Sequence, residues 1–449
     1  MMTKLKGKGA TRPLLIQGGR ILDPGPGRDE TGSLLISGGK IAWLGRGEEA
    51  PPQTGGDVLY ARGLIICPGF IDLHCHLRQP GYEEKETIAT GTRAAARGGF
   101  TTVCCMPNTN PPLDNQATVD YVNKTAAAEG AVRVLPIGCI SKGRKGQELA
   151  PLAELAAVGV IGFSDDGEPA ASSRLMRQAL ELGRALALPI IDHCEDKSLT
   201  EGGQMNEGVI SQRLGLGGRP AAAEEIIVAR DLALAELTGG WLHIAHVSTR
   251  GSVDLIRRAK AKGIRVTAEV TPHHLTLTEE VVTTSNTNTK VNPPLRTRQD
   301  VQALIIGLRE NVIDIIATDH APHTEADKQC EFALAASGIS GLETAFGSLM
   351  GLVHAGQLIL PALIAKLTSE PARIIGNRWG KLGTLDIGAP ADITLFDPDL
   401  EWTVDTSEFA SKGRNTPLAG SRLKGRVMAT LAQGRLAYKD ERVRLEGVV

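Results

Sequence analysis

The sequence predicts an α/β protein: a (β/α)8 TIM-type barrel accompanied by a small β-sandwich built from both chain termini. Three observations support this. Strand-like and helix-like segments alternate through the middle of the chain, from about 66 to 375. Short β-rich runs occupy both ends, those near the N-terminus separated by Gly-Gly and Asp-Pro-Gly turns. Imidazoles and carboxylates recur where the strand-like runs stop. The expected division is 1–65 for the first part of the sandwich, 66–375 for the barrel and 376–449 for the rest of the sandwich. No G-x-G-x-x-G follows any strand-like run, which weighs against a doubly wound open sheet.

Taken in order, residues 14–17, 20–22, 33–36 and 40–44 read as strands separated by Gly18-Gly19 and Asp23-Pro24-Gly25. The apolar run 64–67, closed by Pro68-Gly69, leads into Ile71-Asp72-Leu73-His74-Cys75-His76. Strand-like runs follow at 101–105, 132–137, 160–163, 189–192, 242–245, 265–270 and 314–318. Between them, 173–187, 221–237, 252–262 and 298–311 are Ala/Leu-rich and amphipathic, as surface helices of a barrel would be. At the far end, 392–397 is a strand, and 425–431 with 433–438 form a hairpin.

Global properties exclude several classes. A net charge of −2 over 449 residues and a pI near 6.6 offer no electrostatic attraction to nucleic acid or an anionic membrane. Mean hydropathy of −0.07 fits a globular protein, and with only 3% aromatics its core is built from Ala, Leu, Ile and Val. No run reaches the ~18 apolar residues of a membrane span. The basic stretch 1–13 lacks the apolar segment of a signal peptide, so a cytoplasmic location is expected. Seven cysteines without framework spacing, Cys104-Cys105 adjacent among them, read as reduced and mostly buried thiols.

The chemistry gathers at the strand ends. Alternate residues of a strand share a face, so His74 and His76 can present two imidazoles side by side. Such a pair can begin a site for a borderline divalent cation such as Zn²⁺. Asp165-Asp166 follow 160–163, His193 follows 189–192, His246 follows 242–245, and Asp319 closes 314–318. Five strand ends therefore deliver a metal-capable group to one rim, where barrel enzymes carry their catalytic residues. His273-His274 reach the same rim and are assigned a supporting role. His243 and His354 read as ordinary, Cys194 as a buried thiol, and the polar stretch 323–337 as long enough for a lid.

The run Pro68-Gly69-Phe70-Ile71-Asp72-Leu73-His74-Cys75-His76-Leu77-Arg78 resembles the metal motif of the cyclic amidohydrolases. Glu83-Glu84-Lys85-Glu86-Thr87, Met106-Pro107-Asn108-Thr109, Asp192-His193-Cys194-Glu195, Lys290-Val291-Asn292-Pro293-Pro294 and Thr318-Asp319-His320-Ala321-Pro322-His323 narrow the resemblance to the type I dihydroorotases. The similarity extends from about residue 14 to 440. It implies that His74, His76 and Asp319 bind one metal and that His193 and His246 bind a second, with Asp166 between them. Related enzymes carry a carboxylated lysine at that bridging place, but no lysine occurs from 158 through 174. Asp166 then supplies a shorter carboxylate, and one or two Zn²⁺ per chain are expected.

The resemblance further implies reversible cyclisation of N-carbamoyl-L-aspartate to (S)-dihydroorotate and water, in pyrimidine biosynthesis. A divalent cation lowers the pKa of a coordinated water towards ~7 and polarises the amide carbonyl, and Asp319 is the expected catalytic proton carrier. Arg78, expected to share the strand face of His76, would clamp the non-reacting carboxylate. His76, Asn108, Asn292, His323, Ser337 and Gly338 are the other implied substrate contacts. A homo-oligomer is expected, and related enzymes form complexes with aspartate carbamoyltransferase. The competing readings are an allantoinase or hydantoinase, and a non-catalytic partner of the carbamoyltransferase. Arg78, Asn108 and the missing bridging lysine oppose the first; an intact ligand set opposes the second.

Overall fold

The computed structural model describes residues 12–447 except 48, 50, 51, 53, 54 and 171, so most of the basic N-terminal stretch lies outside the described residues. Five strands open the chain: β1 (Leu14–Asp23), β2 (Arg28–Ser37), β3 (Lys40–Arg46), β4 (Asp57–Tyr60) and β5 (Ile65–Pro68). The middle contributes β6 (Phe70–Cys75), β7 (Phe100–Cys105), β8 (Arg133–Pro136), β9 (Ile190–Asp192), a short pair β10 (Met205–Asn206) and β11 (Gly218–Arg219), then β12 (Leu242–Ile244), β13 (Val266–Val270) and β14 (Ile315–Ile316). The chain ends with β15 (Ile393–Thr403), β16 (Arg422–Ala432), β17 (Arg435–Lys439) and β18 (Leu445–Gly447).

Strands from both ends join in one nine-stranded sheet, in the order β17-β16-β15-β5-β1-β2-β3, with β4 bridging β1 and β18. Its two halves meet where β15 runs antiparallel to β5. Gly18-Gly19, read from sequence as a turn, is instead a bulge inside the ten-residue β1, where the register with β2 shifts. Gly18 supplies the left-handed φ of 75° that the bulge requires. The turn at Gln433-Gly434 (φ 52° and 75°) is the left-handed pair that suits a tight hairpin between β16 and β17.

The apolar run 64–67 belongs to this sheet, through β5, and not to the parallel set. Gly69 separates the two. A Cβ there would lie 2.2 Å from Thr101 Oγ1, so the chain turns at the one residue that allows so close an approach. The parallel strands then pair in sequence: β6-β7-β8 in one sheet and β9-β12-β13-β14 in another. Residues 160–163 make no full strand; single bridges, Gly138 with Phe163 and Phe163 with Ile190, connect the two sheets. A bridge between Cys75 and His320 returns the circuit to β6. Beside it the Asp72 carboxylate accepts the Thr318 backbone N–H at 2.8 Å and its hydroxyl at 2.6 Å, a side chain doing the work of a ladder. One apolar cluster takes Ile71, Cys104, Leu135, Ile161, Ile191 and Ile315 from six different segments of this circuit. Interdigitating side chains fill the inside of the circuit, which is a core and not a pore.

Helices cover the parallel strands: Ser173–Leu186, Ala222–Thr238, Arg250–Ala261 and Arg298–Arg309. Polar residues begin three of them. Ser172 and Thr249 accept the N–H three residues on, and Thr297 with Asp300 forms a capping box. Among the described residues no helix is long and apolar enough to cross a membrane.

Candidate metal and active site

The loops after the parallel strands bring His74, His76, Asp166, His193, His246 and Asp319 into one buried cluster. His74 is the last residue but one of β6, and His76 lies just past its end, so the pair straddles the strand terminus. His76 Nε2 is 3.0 Å from Asp319 Oδ1, and His74 Nε2 is 3.4 Å from both Asp319 Oδ1 and Asp166 Oδ1. Asp166 Oδ1 also lies 3.7 Å from His193 Nδ1 and 3.8 Å from His246 Nε2. Within this cluster two trios have ligand atoms mutually within 4.8 Å: His74, His76 and Asp319, and His74, Asp166 and His246. His193 joins through His246, with Nδ1 2.8 Å from Nε2.

The electrostatics ask for a cation. His74 Nδ1 is taken up by Glu269 at 2.6 Å, while Nε2 is buried without a hydrogen-bond partner and faces two carboxylates. A lone pair aimed at anions is repulsive unless a proton or a metal ion lies between them. Burial pushes Asp166 up, yet the His74 imidazole and the contacts with His193 and His246 hold it well below the usual carboxylate range. Burial likewise opposes ionisation of Asp319, and His74 and His76 overcome it. His193, despite burial, is raised to about 9 by Asp166 and Glu195. Two carboxylates and four imidazoles fit a borderline divalent ion such as zinc.

Backbone strain is concentrated here. Asp319 has φ 46° and His246 φ 32°, conformations that cost non-glycine residues ~1–3 kcal/mol. Arg78 also has a left-handed φ of 60°. It does not share the strand face of His76 as the alternation predicts, because β6 ends at Cys75. The turn carries its guanidinium to Pro322 O, which Nε reaches at 3.2 Å, and to His323 Nε2, 3.4 Å from Nη2. His323 Nε2 lies 2.9 Å from Ser337 O, and a Cβ on Gly338 would come 3.2 Å from the same nitrogen. Arg78, His323, Ser337 and Gly338 therefore form one edge of the site. Burial and then Arg78, Lys328 and Lys85 push His323 down to about 3, which keeps it neutral.

Asn108 and Asn292 stand apart from that edge. Asn108 Oδ1 is 2.9 Å from His76 Nδ1, and Nδ2 donates to Asp166 Oδ2 at 3.2 Å. Asn292 Nδ2 donates to Glu195 Oε2 at 3.1 Å and lies 3.2 Å from His193 Nε2, while Arg219 donates to its Oδ1 at 2.6 Å. Asp165 turns away from the cluster and accepts the Ile140 and Ser141 N–H groups. His274 contacts Thr271 and Pro293 O, not the six. Cys194 is buried beside Asp192 and Asp231, with the Arg230 guanidinium 2.7 Å from Asp231, whose carboxyl burial and the neighbouring Asp192 still hold well above its usual range.

Sequence reading missed four residues. Glu269 and Glu195 each contact a histidine of the cluster, and Arg219 orients Asn292. Asn415, from the C-terminal segment, donates to Ala321 O and Gly338 O at 3.0 Å and accepts His323 N–H at 3.0 Å. For Glu269 a signal existed: a carboxylate in the strand Val266–Val270, between Ala268 and Val270, is tolerated in a core only when paired. His243, read as ordinary, is one of its partners at 3.2 Å.

Residues 63–252 match the family described as dihydro-orotase-like. The chain is 53% identical over 432 residues to the dihydroorotase of Pelotomaculum thermopropionicum, covering 96% of this chain and 100% of that one. It is 50% identical over 430 residues to the dihydroorotase of a Thermoanaerobacter species, covering 96% and 98%. The fold is shared with the L-hydantoinase (dihydropyrimidinase) of Arthrobacter aurescens, at a TM-score of 0.86 and 23% identity over 98% of both chains. The extent and level of this identity, from end to end of the curated relatives, show that the chain belongs to the dihydroorotase family.

Proposed function

We propose that the buried cluster interconverts N-carbamoyl-L-aspartate and dihydroorotate, with zinc held by His74, His76 and Asp319 and a second position offered by Asp166, His193 and His246. The observation that carries this is the partnerless Nε2 of His74 facing Asp166 and Asp319 at 3.4 Å each. The closed parallel circuit supports reading 66–375 as a (β/α)8 barrel, with 1–65 and 376–449 composing the second domain. Asp166 stands where relatives in this superfamily carry a carboxylated lysine, and it would offer its shorter carboxylate to the metal in that residue's stead.

When bound, the metal supplies a water acidic enough to ionise near neutral pH and polarises the amide carbonyl. The residues do the rest. Asp319, kept ionised by His74 and His76, takes the proton of the attacking water and returns it to the departing ring nitrogen. In the ring-closing direction it receives the proton from the carbamoyl nitrogen as that nitrogen closes on the carboxylate and water leaves. Arg78, tethered to Pro322 O, binds the carboxylate that does not react. Neutral His323 adds a hydrogen bond without repelling that guanidinium.

Metal analysis of the purified protein alongside assays on dihydroorotate, allantoin and hydantoin tests this reading. One or two zinc ions per chain and turnover of dihydroorotate alone are expected, with activity lost on chelation and restored by zinc. Hydantoin or allantoin turnover without dihydroorotate turnover would refute it.

A further inference from the structure

Glu269 has no part in the chemistry just described, yet it is almost wholly buried beneath the cluster. Its Oε1 lies 2.6 Å from His74 Nδ1 and accepts the backbone N–H of His246 at 3.3 Å. Its Oε2 is 3.2 Å from His243 Nε2. His243 Nδ1 is 2.8 Å from Thr267 Oγ1, which in turn accepts Trp241 Nε1–H at 3.1 Å.

With a neutral His243 these contacts admit one consistent set of donors. Trp241 donates to Thr267, Thr267 to His243 Nδ1, and His243 Nε2–H to the carboxylate. Every member is satisfied and the chain of donors ends on Glu269. His74 then donates its Nδ1–H to Glu269, and once its other proton gives way to a cation it turns a bare Nε2 towards Asp166 and Asp319, the tautomer that ligates. The same Glu269 oxygen holds the amide of His246 at its left-handed φ of 32°. One carboxylate thus sets two of the four imidazoles, one through its ring and one through its backbone.

Building on the metal reading above, we propose that Glu269 is a positioning residue that selects the cation-accepting tautomer of His74, and that Trp241, Thr267 and His243 hold Glu269 to that task. The test compares wild type, Glu269→Gln and Thr267→Val by zinc competition against a chromophoric chelator and by ¹⁵N-histidine NMR of metal-free protein. Glu269→Gln is expected to weaken zinc binding 10–100-fold, as loss of a partner to a ligating histidine does elsewhere, and to move the His74 ring-nitrogen shifts away from the Nδ1–H pattern. Thr267→Val, which keeps the carboxylate, is expected to act in the same direction by less. Leu135→Ala, a core change outside this chain, should lower stability without altering zinc affinity. Zinc affinity within threefold of wild type in Glu269→Gln overturns the proposal. Should that variant fail to fold, an unchanged affinity and unchanged His74 shifts in Thr267→Val overturn it instead. Wild type that binds no zinc refutes the underlying metal reading, an outcome visible in the wild-type measurement alone.

Discussion

Replacing Arg78 by lysine keeps the charge and removes the fork. The guanidinium already commits Nε to Pro322 O at 3.2 Å, which leaves Nη1 and Nη2 for a carboxylate. An ammonium cannot hold the Pro322 tether and pair with both carboxylate oxygens at once. The loss of one charge-assisted hydrogen bond is ~1.5–3 kcal/mol, or about tenfold to 150-fold in kcat/KM. The non-reacting carboxylate is bound alike in ground and transition states, so the loss should fall chiefly on KM. Steady-state kinetics with dihydroorotate, alongside zinc content, measure it. Zinc content should not change, because Arg78 touches none of the six clustered residues. A kcat/KM within threefold of wild type, or a fall confined to kcat, would refute the assignment of Arg78 to the substrate carboxylate.

Two further outcomes follow from groups outside the metal cluster. Burial raises Glu343 to about 7 against the hydrogen bonds it accepts from Ala410 and Ser411. A carboxyl group raised on folding contributes its stability fully below its unfolded pKa of about 4.3 and loses it as pH rises through about 7. Glu343→Gln should therefore gain about 1–3 kcal/mol of stability relative to wild type on going from pH 4 to pH 8; urea midpoints at the two values decide it, and equal shifts at both would sink it. Asn415→Leu strips the partners from Ala321 O, Gly338 O and the His323 N–H at a buried position. A loss of about 2–4 kcal/mol and a raised KM are expected, and a loss under about 1 kcal/mol in urea unfolding would show that water replaces the amide.

Much of this molecule was legible before any coordinates. The residues that offer lone pairs were marked by type and by their place after strand-like runs. The helix Ser173–Leu186 was legible to within a residue, as the amphipathic stretch 173–187. These are local signals, set by interactions within a few residues along the chain. What remained hidden depended on partners far away in sequence. Nothing near Arg78, His246 or Asp319 announces a left-handed backbone, because the partners met there are distant in sequence: Pro322 for Arg78, and Glu269 for His246. Glu269 pairs with a histidine 195 positions away, and Asn415 crosses 92 positions to fix His323. Sequence alone determined which groups could hold a cation. Tertiary structure decided that Nδ1 of His74 meets Glu269 while Nε2 faces Asp166 and Asp319, since ring orientation and strain are set by whatever is packed alongside.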